Sequence, residues 1–193
     1  MSMQVASPEK NPAFPDAEKI ISSAEVEQAL AKMAAQLQPI VDESNCVLLG
    51  VMLGAMLPLT RLSQLLHGDF MLDTCHATRY QSGLSGKELS WLKQPSVDLT
   101  GRTVIVIDDI FDQGITLEAV VAAASSNQAK RVYSAVLASK LHDRQLSDYR
   151  PDFCALTVPD RYVFGCGMDY RGHWRHLPDV YACLLYTSPS PRD

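Results

Sequence analysis

Apolar and polar positions along this chain alternate between short aliphatic runs and longer amphipathic stretches. Val104-Ile105-Val106-Ile107 is an unbroken β-branched run that reads as a strand buried on both faces, and Cys46-Val47-Leu48-Leu49-Gly50-Val51 reads as another buried strand. Asp69 to Cys75, Val132 to Ser139 and Phe153 to Val158 read as further strands. Ser22, three residues before Glu25, forms a capping-box signature, and Val26, Leu30, Met33, Ala34 and Leu37 then repeat on one face of a helix expected to end near Pro39. Leu57 to Leu66 and Leu117 to Ala124 supply two more helices. Between His76 and Thr100, the turn formers Ser82, Gly83, Ser85 and Gly86 separate two weakly extended arms, the pattern of a long mobile hairpin or flap that can cover a site.

Strands alternating with helices imply an α/β fold, a mostly parallel twisted sheet flanked by helices. Ligands of such sheets bind outside the carboxyl ends of the strands. Residues 1–19, rich in Pro, Ser and charge, are expected to form a loose leader, and residues 20–183 one domain. The tail from Leu184 to Asp193 breaks the pattern and resembles translated sequencing-adapter sequence; it is read as non-native or disordered, and no function is placed there.

Composition narrows the classes. With 193 residues and 47% hydrophobic content, one well-buried domain is expected. The net charge of −5, without a basic run or a basic-aromatic cluster, argues against a nucleic-acid polymer as partner. The apolar stretch from Cys46 to Leu59 holds two glycines and a proline and falls short of the roughly 20 residues a membrane span needs, so no membrane partner is expected. Nothing at the N-terminus has the pattern of a secretion signal. Five cysteines lie scattered without C-x-x-C pairs, which fits reduced thiols in a cytoplasmic protein and argues against zinc.

The run at 104–107 ends in two adjacent carboxylates, Asp108 and Asp109; then come Asp112, Gln113, Gly114, Ile115 and Thr116, and then the helix. Unpaired backbone N–H groups and the positive end of the helix dipole suit the loop after Asp112 to a phosphate. The carboxylates would repel that phosphate unless they bind sugar hydroxyls or a shared Mg²⁺. A second segment, Val158 to Tyr170 followed by Arg171 to Arg175, gathers Tyr162, two glycines, Asp169 and Arg175. Read from residue type, Tyr162 can stack on a planar base, Asp169 can hold a metal and Arg175 can pair with an anionic oxygen; packing, turn capping and solvent exposure are their ordinary alternatives.

Ile107 to Thr116 resembles the phosphoribosyl-pyrophosphate (PRPP) loop of type I phosphoribosyltransferases, and Val158 to Arg175 resembles the purine-site motif of hypoxanthine-guanine phosphoribosyltransferases. The likeness runs from about Val47 to Cys183, and His76 to Tyr80 and Glu88 to Trp91 resemble the bacterial branch. The resemblance implies that family's fold, with a flexible flap and a small hood. It implies transfer of the phosphoribosyl group from PRPP to hypoxanthine or guanine, with Mg²⁺, in a homodimer or homotetramer. Asp112 becomes the general base toward purine N7; Asp108 and Asp109 orient the ribose hydroxyls and their metal; Gln113, Gly114, Ile115 and Thr116 hold the 5′-phosphate. Lys140 matches the lysine that donates to the exocyclic oxygen and so selects 6-oxopurines, while Tyr162 and Val163 meet the base. Asp169 would hold Mg²⁺, and Arg175, Tyr80 and the Leu53-Gly54 loop would contact pyrophosphate. The chain departs from the family at Leu53, which replaces a lysine in a loop with an unusual cis bond, at Gln113 and Ile115 within the phosphate turn, and at Arg79, which replaces a flap serine.

Two other classes fit parts of the pattern. A phosphoribosyltransferase fold can serve as a non-catalytic nucleotide-sensing regulator, but such a protein has no need of Asp112, Lys140 and Asp169 together. A phospho-receiver domain would carry its acidic pair near the first strand, not past mid-chain.

Overall fold

The computed structural model of the protein describes residues 16–43, 45–79, 89–142 and 148–184. Its elements in chain order are β1 (Ala17–Ile21), α1 (Ser23–Asp42), β2 (Cys46–Val51), α2 (Met56–Leu65), β3 (Phe70–Arg79), β4 (Leu89–Lys93), β5 (Thr103–Phe111), α3 (Ile115–Ser126), β6 (Arg131–Leu141), β7 (Phe153–Pro159), β8 (Val163–Phe164) and β9 (Val180–Cys183). Six strands form the main sheet in the order β4-β3-β2-β5-β6-β7, every pairing parallel except β3 with β4.

The alternation of side chains along β2 and β5 divides the core in two, because successive residues of a strand face opposite sides of the sheet. Leu48, Ile105 and Ile107 join the buried face of α1 and Leu59 and Leu62 of α2. Val47, Leu49, Val104 and Val106 pack against Leu117, Val120 and Ala124 of α3. β5 is therefore covered on both faces and its carboxyl end is held rigidly.

α1 begins as its sequence requires: the Ser22 hydroxyl accepts from the Glu25 amide, and the Glu25 carboxylate accepts from the Ser22 amide at 2.8 Å. It does not stop near Pro39 but continues to Asp42. The missing proline N–H costs one hydrogen bond in the last turns, while Val41, buried against the sheet, holds that turn in place.

The leader boundary is also corrected. Ala17–Ile21 is a strand, paired antiparallel with β9, which in turn pairs with β8 in a second, three-stranded sheet. The charged side chains of β1 disguise it: Glu18 pairs with Arg161, and Lys19 lies 3.5 Å from Asp179. A strand whose partner lies at the other end of the chain has no local signature. This small sheet is the hood expected above the main one, with Tyr162, Phe164 and Cys183 at its own core.

The arms of the expected hairpin are β3 and β4, antiparallel as read, while its tip, including Tyr80, and the tail from Leu185 to Asp193 lie outside the described residues. All five cysteines are free. Burial pushes the thiols of Cys46 and Cys166 up to about 11 and that of Cys75 to about 12, so they stay protonated and behave as packing groups. No helix among the described residues is long and apolar enough to cross a membrane.

Candidate functional site

β5 carries its apolar run straight into the carboxylates, and Asp108, Asp109 and Asp112 are all buried. Asp108 accepts the Asp109 amide at 2.8 Å, and the strand runs on past both carboxylates to Phe111. The register between β5 and β6 then decides the next contact: Phe111 lies opposite Ser139, so Asp112 follows level with Lys140. The Lys140 ammonium donates to Asp112 Oδ2 at 2.5 Å, with side-chain exposures of 1% and 3%.

The second oxygen of the same carboxylate is held by a residue that sequence reasoning missed. His142 Nε2 lies 2.5 Å from Asp112 Oδ1 and its side chain is 3% exposed. Its spacing two residues from Lys140, just past the end of β6, is compatible with a shared face, but only the register of β6 against β5 turns it toward Asp112. Burial alone would raise the Asp112 pKa, but the hydrogen bonds and charges of Lys140 and His142 outweigh it and hold the carboxyl below the usual range.

Immediately after Asp112, Gly114 is the N-cap of α3 with φ of 89°, a left-handed conformation that glycine adopts without cost. No side chain among the described residues caps this helix. Ile115 and Thr116 thus form its first turn, where the backbone N–H groups have no partner inside the helix and the dipole is positive. Such a terminus is suited to a phosphate or similar anion.

The loop after β2 faces the same strand ends. Its cis peptide is Met52–Leu53, one bond before the Leu53-Gly54 position considered from sequence. The Leu53 side chain is about half exposed, while Gly54 is wedged in: a Cβ on it would run into the Asp109 carboxylate. Gly167, with φ of 99°, packs against the Gly54 carbonyl from the hood side, so the two glycines let two backbone segments meet beside the Asp109 carboxylate.

Arg175 ties the hood to the strand ends. Its guanidinium reaches Asp169 Oδ1 at 2.5 Å, Asp109 Oδ2 at 3.6 Å and the Gly167 carbonyl at 2.7 Å. Asp169 also accepts the Gly172 amide at 2.8 Å. A cavity of about 400 Å³ opens beside this bridge, lined by Leu53, Met56, Gly167, Gly172, Trp174 and Arg175. It reaches the residues expected to meet pyrophosphate but not Asp112 or Lys140.

Tyr162 and Val163 lie in the hood, both buried. The Tyr162 ring is 3% exposed and meets Tyr170 edge-on at 5.3 Å between centroids, so a base reaches its face only if this packing opens. The metal residues are likewise not gathered into a cage: among the described residues no three His, Cys, Asp or Glu side chains converge to hold an ion. Their chemistry nevertheless suits Mg²⁺. Asp109 and Asp169 are hard oxygen donors brought to one cation, the Arg175 guanidinium, and Mg²⁺ takes one or two protein carboxylates and completes its shell with water and phosphate oxygens.

Comparison with known proteins gives the arrangement a lineage. The chain is 28% identical over 171 residues to the hypoxanthine phosphoribosyltransferase of Escherichia coli K12, covering 87% of this chain and 96% of that protein. It is 29% identical over 167 residues to the hypoxanthine-guanine phosphoribosyltransferase of Bacillus subtilis, covering 86% and 92%. Its fold superimposes on the crystal structure of a Staphylococcus aureus hypoxanthine phosphoribosyltransferase with a TM-score of 0.82 at 22% identity, covering 87% of this chain and 92% of that one. The phosphoribosyl transferase domain family matches residues 16–171, from the start of the hood's first strand through the Asp169 turn. The match takes in the acidic loop, Lys140 and Asp169 together, and the chain belongs to the phosphoribosyl transferase domain family.

Proposed function

We propose that this protein is a purine-salvage enzyme that transfers the 5-phosphoribosyl group of PRPP to hypoxanthine or guanine, giving IMP or GMP and pyrophosphate. The observation that carries this reading is the buried Asp112–Lys140 pair beside the uncapped N-terminus of α3. Such a pair suits a base and a 6-oxopurine-selecting donor beside a helix terminus that can take a phosphate, and the names of the relatives support the reading.

In this reaction the bond from ribose C1 to the pyrophosphate oxygen breaks, the bond from C1 to purine N9 forms, and the N7 proton passes to Asp112. Gln113 to Thr116 hold the 5′-phosphate through backbone N–H groups and the Thr116 hydroxyl, while Asp108 and Asp109 orient the ribose hydroxyls. Lys140 donates to the purine O6; adenine presents an amino group there, a donor facing a donor. Tyr162 stacks on the base once its packing against Tyr170 opens, and Val163 supplies backbone groups to the base edge. Leu53 and Gly54 through main chain, Tyr80 from the flap, and Arg175 engage pyrophosphate. Asp169, Asp108 and Asp109 would hold Mg²⁺, which when bound would supply charge neutralisation for the departing group. Arg175 already bridges two of these carboxylates and is placed to follow the charge as it develops on the leaving oxygens.

The reading extends to a cytoplasmic homodimer or homotetramer, which light scattering tests directly. The decisive experiment is a spectrophotometric assay with PRPP, Mg²⁺ and each purine base in turn. Nucleotide is expected from hypoxanthine and guanine and none from adenine. Absence of nucleotide from every base would move the assignment to a nucleotide-sensing regulator.

A further inference from the structure

We propose that His142 is a positioning residue that fixes the Asp112 carboxylate for proton transfer while Lys140 is engaged by the purine; this rests on the phosphoribosyl-transfer reading. Asp112 has two partners of different character. Lys140, on Oδ2, has a flexible four-carbon stem and a second task, the purine's exocyclic oxygen. His142, on Oδ1, is a short ring whose side chain is 3% exposed, with its nitrogen 2.5 Å from the carboxylate.

An ionised carboxylate only accepts, so the ring nitrogen facing Asp112 must carry a hydrogen and donate it. Two carboxylate oxygens offer about four acceptor positions. With one occupied by Lys140 and one by His142, room remains for a purine N7–H. When Lys140 turns toward the base, His142 remains the contact that stops the carboxylate from rotating about its Cβ–Cγ bond. The proton balance is simple: the N7–H bond breaks, an Asp112 O–H bond forms, and the proton leaves to solvent with product release. His142 does not touch the base and acts only through Asp112.

The test compares His142→Ala and His142→Gln with wild type, each checked for fold by circular dichroism. Glutamine keeps a side-chain N–H donor of similar reach. A loss of orientation at a reacting group is worth up to about 10²-fold. His142→Ala is therefore expected to lower kcat about 10- to 100-fold while KM for the purine changes less than about threefold. His142→Gln is expected to return kcat to within about fivefold of wild type. A folded Ala variant with wild-type kcat, or a Gln variant no better than Ala, overturns the proposal. If Ala does not fold, His142→Leu, which fills much of the ring's volume without an N–H donor, takes its place: a loss of kcat of about 10- to 100-fold supports the proposal and a wild-type kcat overturns it. A wild-type protein inactive with every base sinks the transfer reading and this inference with it, whereas an active wild type with an indifferent His142→Ala sinks the inference alone.

Discussion

The carboxyl ends of β5 and β6 and the hood loop from Tyr162 to Arg175 bring charge to one place by different means. At the strand ends, position comes from a parallel ladder: once Phe111 pairs with Ser139, Asp112 and Lys140 have nowhere else to meet. In the hood, position comes from turns. Gly165, Gly167 and Gly172 have positive φ, as do Cys166, Arg171 and Trp174, and the loop is pinned by single contacts such as the Gly167 amide on the Arg175 carbonyl at 2.9 Å. A ladder fixes side chains through many repeated bonds, whereas a turn-built loop concentrates its geometry in a few residues. Substitutions at the strand ends should therefore strike chemistry, and substitutions in the hood should strike assembly of the site as well.

The largest effect is expected at Asp112. Asp112→Asn keeps a hydrogen-bonding side chain against Lys140 but cannot take a proton, so turnover should fall about 10²–10⁴-fold in steady-state assays. Asp112→Ala is the poorer probe, because it leaves a buried ammonium without its partner and should cost about 3–5 kcal/mol of stability as well, measurable by urea titration. The 1% exposure of the Lys140 side chain is what makes this cost large, since the ammonium cannot turn to water in place of its partner.

Arg175→Gln sharpens the hood side of the contrast. It removes a charge-assisted hydrogen bond to Asp169 and the cation shared with Asp109, so kcat/KM for PRPP should fall about 10- to 100-fold, the equivalent of about 1.5–3 kcal/mol. An unchanged KM for PRPP would show that the bridge is structural only. Gly167→Ala tests the turn itself. A left-handed residue and a Cβ aimed at the Gly54 carbonyl should cost about 1–3 kcal/mol, and calorimetry should show about 2–4 °C of Tm lost per kcal/mol in a chain of this length.

The smallest effect concerns acid. Burial raises the Asp73 pKa, but the amides of Val97, Thr74 and Ser96 and the Lys93 ammonium outweigh it, and its folded pKa is depressed like that of Asp112. Stability from a depressed carboxylate is present above the unfolded value near about 3.9 and is lost as pH falls through the folded one. Wild-type stability should therefore decline below about pH 4. Asp73→Asn should be less stable at pH 7 yet decline less steeply, as denaturant midpoints across that range would report.

Much of the fold was legible because its signals are local. The capping box of α1, the apolar face that follows it and the β-branched run of β5 are each written in consecutive residues. The acidic loop was legible for the same reason, since strand, carboxylates, glycine and helix succeed one another without a gap. β1 was not, because its pairing with β9 joins the two ends of the domain and its exposed Glu18 and Lys19 look like a leader. His142 was overlooked because a histidine beyond a strand end has no meaning until the register of β5 against β6 turns it toward Asp112.

By itself, then, the sequence determined the three helices and the main-sheet strands between them, the burial of β5 on both faces and the delivery of three carboxylates to one sheet edge, since all of these follow from short-range pattern and propensity. Only the tertiary structure decided which partners those carboxylates take. Lys140 and His142 on Asp112, and Arg175 between Asp109 and Asp169, are set by strand register and by the close backbone approach of Gly54 and Gly167. Side-chain contacts between residues dozens of positions apart depend on distances that no local pattern encodes.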